Sequence, residues 1–140
     1  MLRVQIEVVK EFEFEAAHFL PDHPGKCKNL HGHSYLLRIG IKGEINPDTG
    51  MVTDFGELKK AVEQSMLGRL DHTYLNKVNF QEAAHSFPAE RPTAERMVEW
   101  IVDFLRFYVF PPFLSVSLSF VRLYETRSSY VEWRAENVES

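Results

Sequence analysis

The sequence lacks several features that would place a protein in a particular class. It has one cysteine in 140 residues, which excludes an internal disulfide and fits a reducing compartment. It also lacks a basic excess: the formal net charge is −4, whereas a general nucleic-acid binder normally carries a basic surface. The N-terminal stretch MLRVQIEVVKEFEFE interrupts its apolar residues with charges, unlike a signal peptide or a membrane span. These absences predict a soluble cytoplasmic protein that binds neither nucleic acid nor a membrane.

Apolar and polar residues alternate in four segments of the chain, which predicts four strands. Two long segments run from Val4 to Leu20 and from His33 to Ile45. Two shorter segments, 114–125 and 130–135, lie near the end of the sequence. Because one side of each segment is apolar, each strand is expected to bury one face.

Two segments between the strand pairs have apolar residues at helical spacing. The first follows Asp54, which stands at the N-cap position, and the second begins at Pro92-Thr93. The order ββααββ predicts an α+β fold with a four-stranded antiparallel sheet and two helices packed on one face. At this length, we expect a single domain over residues 1–140.

Four of the six histidines lie in one stretch, EAAHFLPDHPGKCKNLHGH. His31 and His33 project to one face of an extended segment, and His18 lies on the apolar face of the preceding strand. If these strands pair as a hairpin, the three imidazoles converge. Three neutral histidines with an open fourth position are typical of a catalytic zinc site. The spacing alone is equally compatible with partly buried histidines that bind no ion, and His23 is expected in an exposed loop.

The only cysteine, Cys27, lies between Lys26 and Lys28, four residues before His31. Two neighbouring cations favour the thiolate and therefore a role as base or nucleophile. A loop position between charged residues is a poor place for a core side chain. A fourth, structural metal ligand and a catalytic base both remain open on these residues.

Two further polar positions are weaker candidates. Asp71 and His72 follow the first predicted helix. The side chains of an adjacent Asp and His seldom form a good hydrogen bond with each other, so the ordinary explanation of the pair is that it ends the helix. The functional explanation is a proton relay. Glu125 ends the serine-rich strand, where it is either a solvated carboxylate or an acceptor for two parallel hydrogen bonds from an amino group beside a ring N–H.

Taken in order, these residues resemble the 6-pyruvoyltetrahydropterin synthase superfamily. The matching segments are His18, Cys27-Lys28-Asn29-Leu30-His31-Gly32-His33, Gly50-Met51-Val52-Thr53-Asp54-Phe55, Leu70-Asp71-His72 with Leu75-Asn76, Pro92-Thr93-Ala94-Glu95, and Glu125-Thr126. The chain looks most similar to the 6-carboxytetrahydropterin synthases of the queuosine (7-deazaguanine) pathway, because three residues separate the cysteine from the His-Gly-His segment. The pyruvoyl-forming synthases have a longer gap, and another branch has glutamate in place of this cysteine.

The resemblance implies a tunnelling fold (T-fold), in which subunits join their sheets into a barrel. It implies a homohexamer made of two trimers, with active sites at subunit interfaces. It also implies Zn²⁺ as the cofactor, bound by His18, His31 and His33.

The resemblance further implies roles for four other residues. Cys27 would be the catalytic base, and Asp71 with His72 would complete a proton relay. These two residues would belong to a neighbouring subunit's site, which would account for their adjacency. Glu125 would anchor the pterin ring of the substrate.

The implied reaction converts 7,8-dihydroneopterin triphosphate to 6-carboxy-5,6,7,8-tetrahydropterin, releasing acetaldehyde and triphosphate, and is a zinc-dependent carbon–carbon lyase reaction. From their charge and position, Lys26 and Lys28 are expected to bind the triphosphate, and the backbone around Asp54 and Phe55 is expected to contact the substrate. One alternative is pyruvoyl-type synthase activity, which cleaves no carbon–carbon bond. Another is a zinc-binding protein without turnover, in which Cys27 is a fourth ligand.

Two segments depart from the pattern of the superfamily. The loop from Lys77 to Arg91 is longer than in compact members; it contains His85, to which no role is assigned. The segment Arg127-Ser128-Ser129 replaces a small or cysteine-containing stretch of close relatives. The second departure leaves fine substrate specificity open.

Overall fold

The long strands begin and end close to their predicted positions. The computed structural model describes residues 4–80, 86–111 and 115–136, so His85 lies outside the described residues. The strands are β1 (Ile6–His18), β2 (His31–Gly43), β3 (Thr73–Tyr74), β4 (Val116–Thr126) and β5 (Ser129–Arg134).

The strands form one sheet in the order β3-β1-β2-β4-β5. Neighbouring long strands are antiparallel, and β3 pairs parallel to β1 through Ala16 with Thr73 and Ala17 with Tyr74. The α+β class is confirmed, but the prediction of four antiparallel strands is wrong because the sheet has a fifth, parallel strand. A two-residue strand is too short to show alternation, so periodicity could not reveal it.

The two predicted helices form, and both predicted N-terminal positions are confirmed. The Asp54 carboxylate accepts a hydrogen bond from the Glu57 N–H (2.9 Å), and the Thr93 hydroxyl accepts one from the Arg96 N–H (3.1 Å). Each cap satisfies a backbone donor that the first helical turn leaves free. The helices are α1 (Phe55–Val62), which continues through a π-helical turn (Glu63–Leu67) and a last turn (Gly68–Leu70), and α2 (Ala94–Phe104), which continues through Leu105–Val109.

The core lies between the helices and one face of the sheet, because alternate strand residues point towards the helices. Within the described ranges, no helix is long and apolar enough to span a membrane. The other face of the sheet carries ion pairs such as Arg38–Glu11 and Arg122–Glu132, both at 2.7 Å. The largest fully buried side chains include Trp100, Phe14, Tyr35, Phe80, Phe104, Leu37 and Ile39.

Both edges of the sheet are largely open in the described part of the chain. The short strand β3 covers β1 only at Ala16 and Ala17, and β5 is the last strand at the opposite edge. An edge strand presents backbone N–H and C=O groups that can pair with a strand of another chain. The fold therefore has two surfaces suited to extending the sheet between subunits.

Candidate metal centre and active site

The three histidines predicted as ligands lie together on the inner face of the β1–β2 hairpin. The strand register places His18 opposite His31, and His33 two residues further along β2. One ring nitrogen from each residue can be chosen so that all three lie within 4.8 Å of one another. His18 is fully buried, whereas the other two are partly exposed. The hairpin therefore forms a three-nitrogen group that can hold a metal ion.

Two backbone carbonyls set the orientation of two of these rings. His18 Nδ1 donates to the Pro92 carbonyl oxygen (2.9 Å), and His31 Nδ1 donates to the Asn29 carbonyl oxygen (2.7 Å). A carbonyl cannot donate, so in the neutral rings the hydrogen is on Nδ1 and Nε2 carries a lone pair. Ligand histidines in metalloproteins are oriented in this way by their second nitrogen.

The lone pairs of this group point at one another. The Nε2 atoms of His18 and His31 are 3.1 Å apart, and the buried Nε2 of His33 has no hydrogen-bond partner among the described residues. Neutral rings with their hydrogen on Nδ1 cannot form a hydrogen bond between their Nε2 atoms. A cation between these nitrogens would satisfy all three, so the donor set fits a metal ion.

Burial favours the neutral form of two of these rings, which is the form that can bind a metal ion. Burial lowers the pKa of His18 and of His33, against the opposing influence of the Glu125 carboxylate. A lowered pKa keeps an imidazole neutral at neutral pH, and only the neutral ring can bind a metal through its lone pair. Burial also raises the pKa of Tyr35, the next inward residue of β2 after His33, so its phenol stays protonated.

Cys27 lies outside the three-nitrogen group, in a short helical turn between β1 and β2. The turn spans Lys26–Lys28; its cysteine is partly buried and both lysines are exposed. The backbone carbonyl of Cys27 accepts a hydrogen bond from the Leu20 N–H (2.8 Å). The thiol forms no disulfide and does not belong to the group of residues placed to hold a metal ion.

Asp71 and His72 are joined to the edge strand β1. One oxygen of Asp71 accepts a hydrogen bond from the Glu15 N–H (2.8 Å) and lies 3.0 Å from His72 Nδ1. The expectation that these adjacent residues would bond poorly is wrong. His72 has a left-handed backbone conformation (φ 59°), which is uncommon for a residue other than glycine. In this conformation the His72 ring contacts the carboxylate of Asp71.

The Asp71–His72 pair and the three-histidine group each contribute a residue to the same cavity, but no described hydrogen bond or ion pair joins them. His72 borders an open cavity of about 430 Å³ together with His33 and with Glu15 and Ser34, and the side chains of the last two point to the outer face of the sheet. His18 and His33 point to the inner face, because side chains alternate along a strand. Among the described residues, the pair bonds to itself and to Glu15, and not to the histidines.

The hydrogen bond from Glu15 makes the stability of the protein depend on Asp71 in acid. It is the main cause of a lowered pKa at Asp71, below the usual value for aspartate of about 3.9. The folded state therefore gains stability from this carboxylate above about pH 4 and loses it as the pH falls through the lowered pKa. We expect Asp71→Asn to flatten the pH dependence of unfolding between about pH 2 and pH 4, by at most about 1 kcal/mol because the group is partly exposed.

Urea unfolding over that pH range measures the effect on the free energy of unfolding. Asp48→Asn, in an exposed turn, is the matched control and is expected to leave the acid limb unchanged. Equal slopes for the parent protein and the Asp71 variant would contradict the prediction.

Glu125, predicted to bind substrate, lies beside the three-histidine group. It is next to a bulge near the end of β4, and its Oε1 is 3.3 Å from His33 Nε2 without forming a hydrogen bond. Asp54 uses a carboxylate oxygen to cap α1, and Phe55 is half-exposed in the first turn of that helix. No described contact connects these last two residues to the histidines.

The carbonyls of Pro92 and Asn29 were not among the candidates from the sequence. A backbone carbonyl is present at every position, so residue type gives no signal for such a contact. Both Asn29 and Pro92 belong to segments that match the superfamily, and this match is the available hint.

Comparison with known proteins agrees with this geometry. The profile of the family described as 6-pyruvoyl tetrahydropterin synthase matches residues 7–136. A Synechocystis protein named 6-carboxy-5,6,7,8-tetrahydropterin synthase is 42% identical, with 67% of this chain and 70% of the relative covered. A Haemophilus influenzae protein of the same name is 34% identical, with 91% and 98% covered.

A solved structure shows the same fold. The Caenorhabditis elegans 6-pyruvoyl tetrahydropterin synthase superposes with a TM-score of 0.78 at 26% identity, covering 97% of this chain and all of that one. The profile match extends over nearly all of the sequence, from the first strand to the last. The chain belongs to the 6-pyruvoyl tetrahydropterin synthase family.

Proposed function

We propose that this protein is a zinc-dependent 6-carboxytetrahydropterin synthase. It converts 7,8-dihydroneopterin triphosphate to 6-carboxy-5,6,7,8-tetrahydropterin and releases acetaldehyde and triphosphate, as a carbon–carbon lyase of the queuosine pathway. The observation that carries the proposal is the convergence of three imidazole nitrogens for which the described residues provide no hydrogen-bond donor. The choice of a pterin as substrate rests on family membership and on the names of the two relatives.

In this proposal His18, His31 and His33 hold Zn²⁺ and leave a coordination position for substrate. Bound zinc supplies a Lewis acid that makes a carbon-bound proton next to the substrate's hydroxyl oxygens more acidic. The carbonyls of Pro92 and Asn29 keep two of the rings oriented before substrate arrives.

Cys27 acts as the general base and removes that carbon-bound proton. Its position outside the three-nitrogen group supports this role over a fourth, structural ligand. A thiol that must stay reduced supports a cytoplasmic location, which is part of the proposal.

Asp71 and His72 return protons during the reaction. The 3.0 Å contact between them fits a carboxylate that orients an imidazole. Because no described hydrogen bond or ion pair joins the pair to the histidines of its own chain, we assign it to the site of a neighbouring subunit. The open edges of β1 and β5 are suited to join sheets between subunits, and we propose a homohexamer of two trimers in which each chain contributes one domain over residues 1–140.

Glu125 anchors the pterin ring. Its two carboxylate oxygens match an amino group beside a ring N–H, and the residue is partly exposed next to the metal group. The backbone around Asp54 and Phe55 provides further contacts to the substrate. The ring would thus lie on the inner face of the sheet, with its side chain towards the histidines.

The test is incubation of the zinc-loaded protein with 7,8-dihydroneopterin triphosphate, followed by identification of the products. We expect acetaldehyde and 6-carboxy-5,6,7,8-tetrahydropterin in equal amounts. Release of triphosphate without acetaldehyde would instead show pyruvoyl-type synthase activity. If no product forms, the remaining alternative is a zinc-binding protein without catalytic activity.

Lys26 and Lys28 are proposed to bind the triphosphate of the substrate. Changing both to glutamate is expected to raise the apparent KM about tenfold or more, because attraction becomes repulsion. Lys59→Glu with Lys60→Glu, on the exposed side of α1, changes the net charge equally and is the control. Steady-state kinetics at fixed ionic strength measure the effect, and an unchanged KM in the loop variant would refute the assignment.

A further inference from the structure

The side-chain amide of Asn76 binds the backbone of one residue, Phe19, at both of its polar groups. Asn76 Oδ1 accepts a hydrogen bond from the Phe19 N–H, and Asn76 Nδ2 donates one to the Phe19 carbonyl oxygen, both at 2.9 Å. A strand partner makes the same two kinds of bond with its neighbour. The amide therefore prolongs the parallel pairing of β1 with β3, which ends at Ala17 and Tyr74.

The chemistry of this contact requires an amide. Asparagine offers a donor and an acceptor on one short side chain, whereas an ionised aspartate only accepts. The neighbouring residue Leu75 is fully buried in the core, and the Val78 N–H donates to the Leu75 carbonyl oxygen across the turn. These contacts hold the backbone of Asn76, so its side chain is directed at Phe19 by a rigid support.

The contact lies where the loop that carries Cys27 begins. Phe19 directly follows His18, and the next residue, Leu20, donates its N–H to the Cys27 carbonyl oxygen (2.8 Å). Asn76 is thus connected to Cys27 in three steps: hydrogen bonds to Phe19, the peptide bond from Phe19 to Leu20, and the hydrogen bond from Leu20 to Cys27. Two other described contacts join this loop to distant segments: the Phe19 ring lies 6.2 Å from the Tyr74 ring, and Asp22 pairs with Arg91. The ion pair joins two highly exposed side chains and contributes little.

We propose that Asn76 is a positioning residue that keeps Cys27 at its working distance from the three-histidine group. The inference rests on the proposed role of Cys27 as the base. The segment from Asp71 to Asn76 is held at both ends, by the Asp71 carboxylate at Glu15 of β1 and by the Asn76 amide at Phe19, the residue that follows β1. Asn76 therefore sets the geometry of the loop without touching substrate or metal.

Asn76→Ala removes both hydrogen bonds and is the main test. We expect amide exchange at Phe19 and Leu20 to accelerate about tenfold, because local opening becomes easier. Alkylation of Cys27 by iodoacetamide is expected to become several-fold faster, with zinc content unchanged. We expect kcat to fall about tenfold or more and KM to change less than about twofold, since only the alignment of the base is lost.

Two further variants make the test specific. Asn76→Asp keeps the acceptor for the Phe19 N–H and loses the donor, so we expect intermediate values of exchange rate and kcat. It also gives an answer if the alanine variant does not fold. Asn79→Ala, an exposed asparagine three positions along the same segment, is the control and is expected to match the parent protein.

The outcomes separate this inference from the proposed function. If folded Asn76→Ala matches Asn79→Ala in amide exchange, alkylation rate and kcat, Asn76 does not position the loop. If the parent protein turns over no pterin substrate, the proposed function fails, whereas exchange and alkylation still report the tie between Asn76 and the loop. A drop in zinc content with unchanged alkylation would overturn the inference, because the amide would then act on His18 instead.

Discussion

Replacing Cys27 by alanine is expected to abolish nearly all turnover and to leave the bound metal in place. Removal of a general base lowers kcat by about 10²- to 10⁴-fold. The thiol is not part of the three-nitrogen group, so its loss removes no ligand from the metal. Product formation from 7,8-dihydroneopterin triphosphate and zinc content per subunit measure the two effects on the same sample.

The control for Cys27→Ala is the thermal unfolding curve, which is expected to overlay that of the parent protein because the loop side chain is only partly buried. Cys27→Ser tests the base more finely, since a hydroxyl of similar size has a far higher pKa than a thiol. Loss of zinc from either variant would identify Cys27 as a fourth ligand. The site would then be closed and structural rather than open and catalytic.

Replacing His31 by alanine is expected to weaken zinc binding at least about 100-fold and to abolish turnover. Mutation of a residue that only orients a metal ligand lowers the affinity for the metal about 10- to 100-fold. Removal of a ligand itself is expected to lower the affinity at least as much. His31 is the most suitable of the three for this test, because it is partly exposed and its removal disturbs the core less than that of His18. Competition with a chelating dye in a zinc-buffered solution measures the affinity.

His23→Ala is the matched control for His31→Ala. His23 lies in the same loop region, accepts a hydrogen bond from the Gly25 N–H and is outside the three-nitrogen group. We expect the control to keep the affinity of the parent protein for zinc. Equal weakening by both substitutions, or none by His31→Ala, would mean that the histidine group does not bind the metal.

Much of the frame around the site could be predicted from alternation. A period of two placed His18 on the same face as Phe14, and hairpin pairing then brought it to His31 and His33. The start of α1 was predictable for a similar reason, since the Asp54 side chain satisfies free N–H groups of the first turn wherever a helix begins. Such rules use only local residue type, which a sequence displays directly.

Other parts of the site depend on contacts between segments far apart in the chain. The pairing of β3 with β1 joins Thr73 to Ala16, and no residue in either segment specifies that partner. The left-handed backbone of His72 and the carbonyl of Pro92 likewise depend on how α1 and α2 pack against the sheet. The catalytic roles of Cys27, Asp71, His72 and Glu125 stay predictions, because geometry in one chain does not test them.

The hydrogen bond from His18 to the Pro92 carbonyl joins a proposed metal ligand to a residue two positions before α2 begins. A ligand that binds the folded chain and not the unfolded one stabilises it by about 2.7 kcal/mol when free ion is present at 100 times its dissociation constant. Zinc binding, as proposed, would therefore link metal supply to protein lifetime. In a zinc-poor cell, a larger fraction of these chains would be unfolded at any moment and open to proteolysis, so enzyme abundance would follow metal availability without any dedicated regulator.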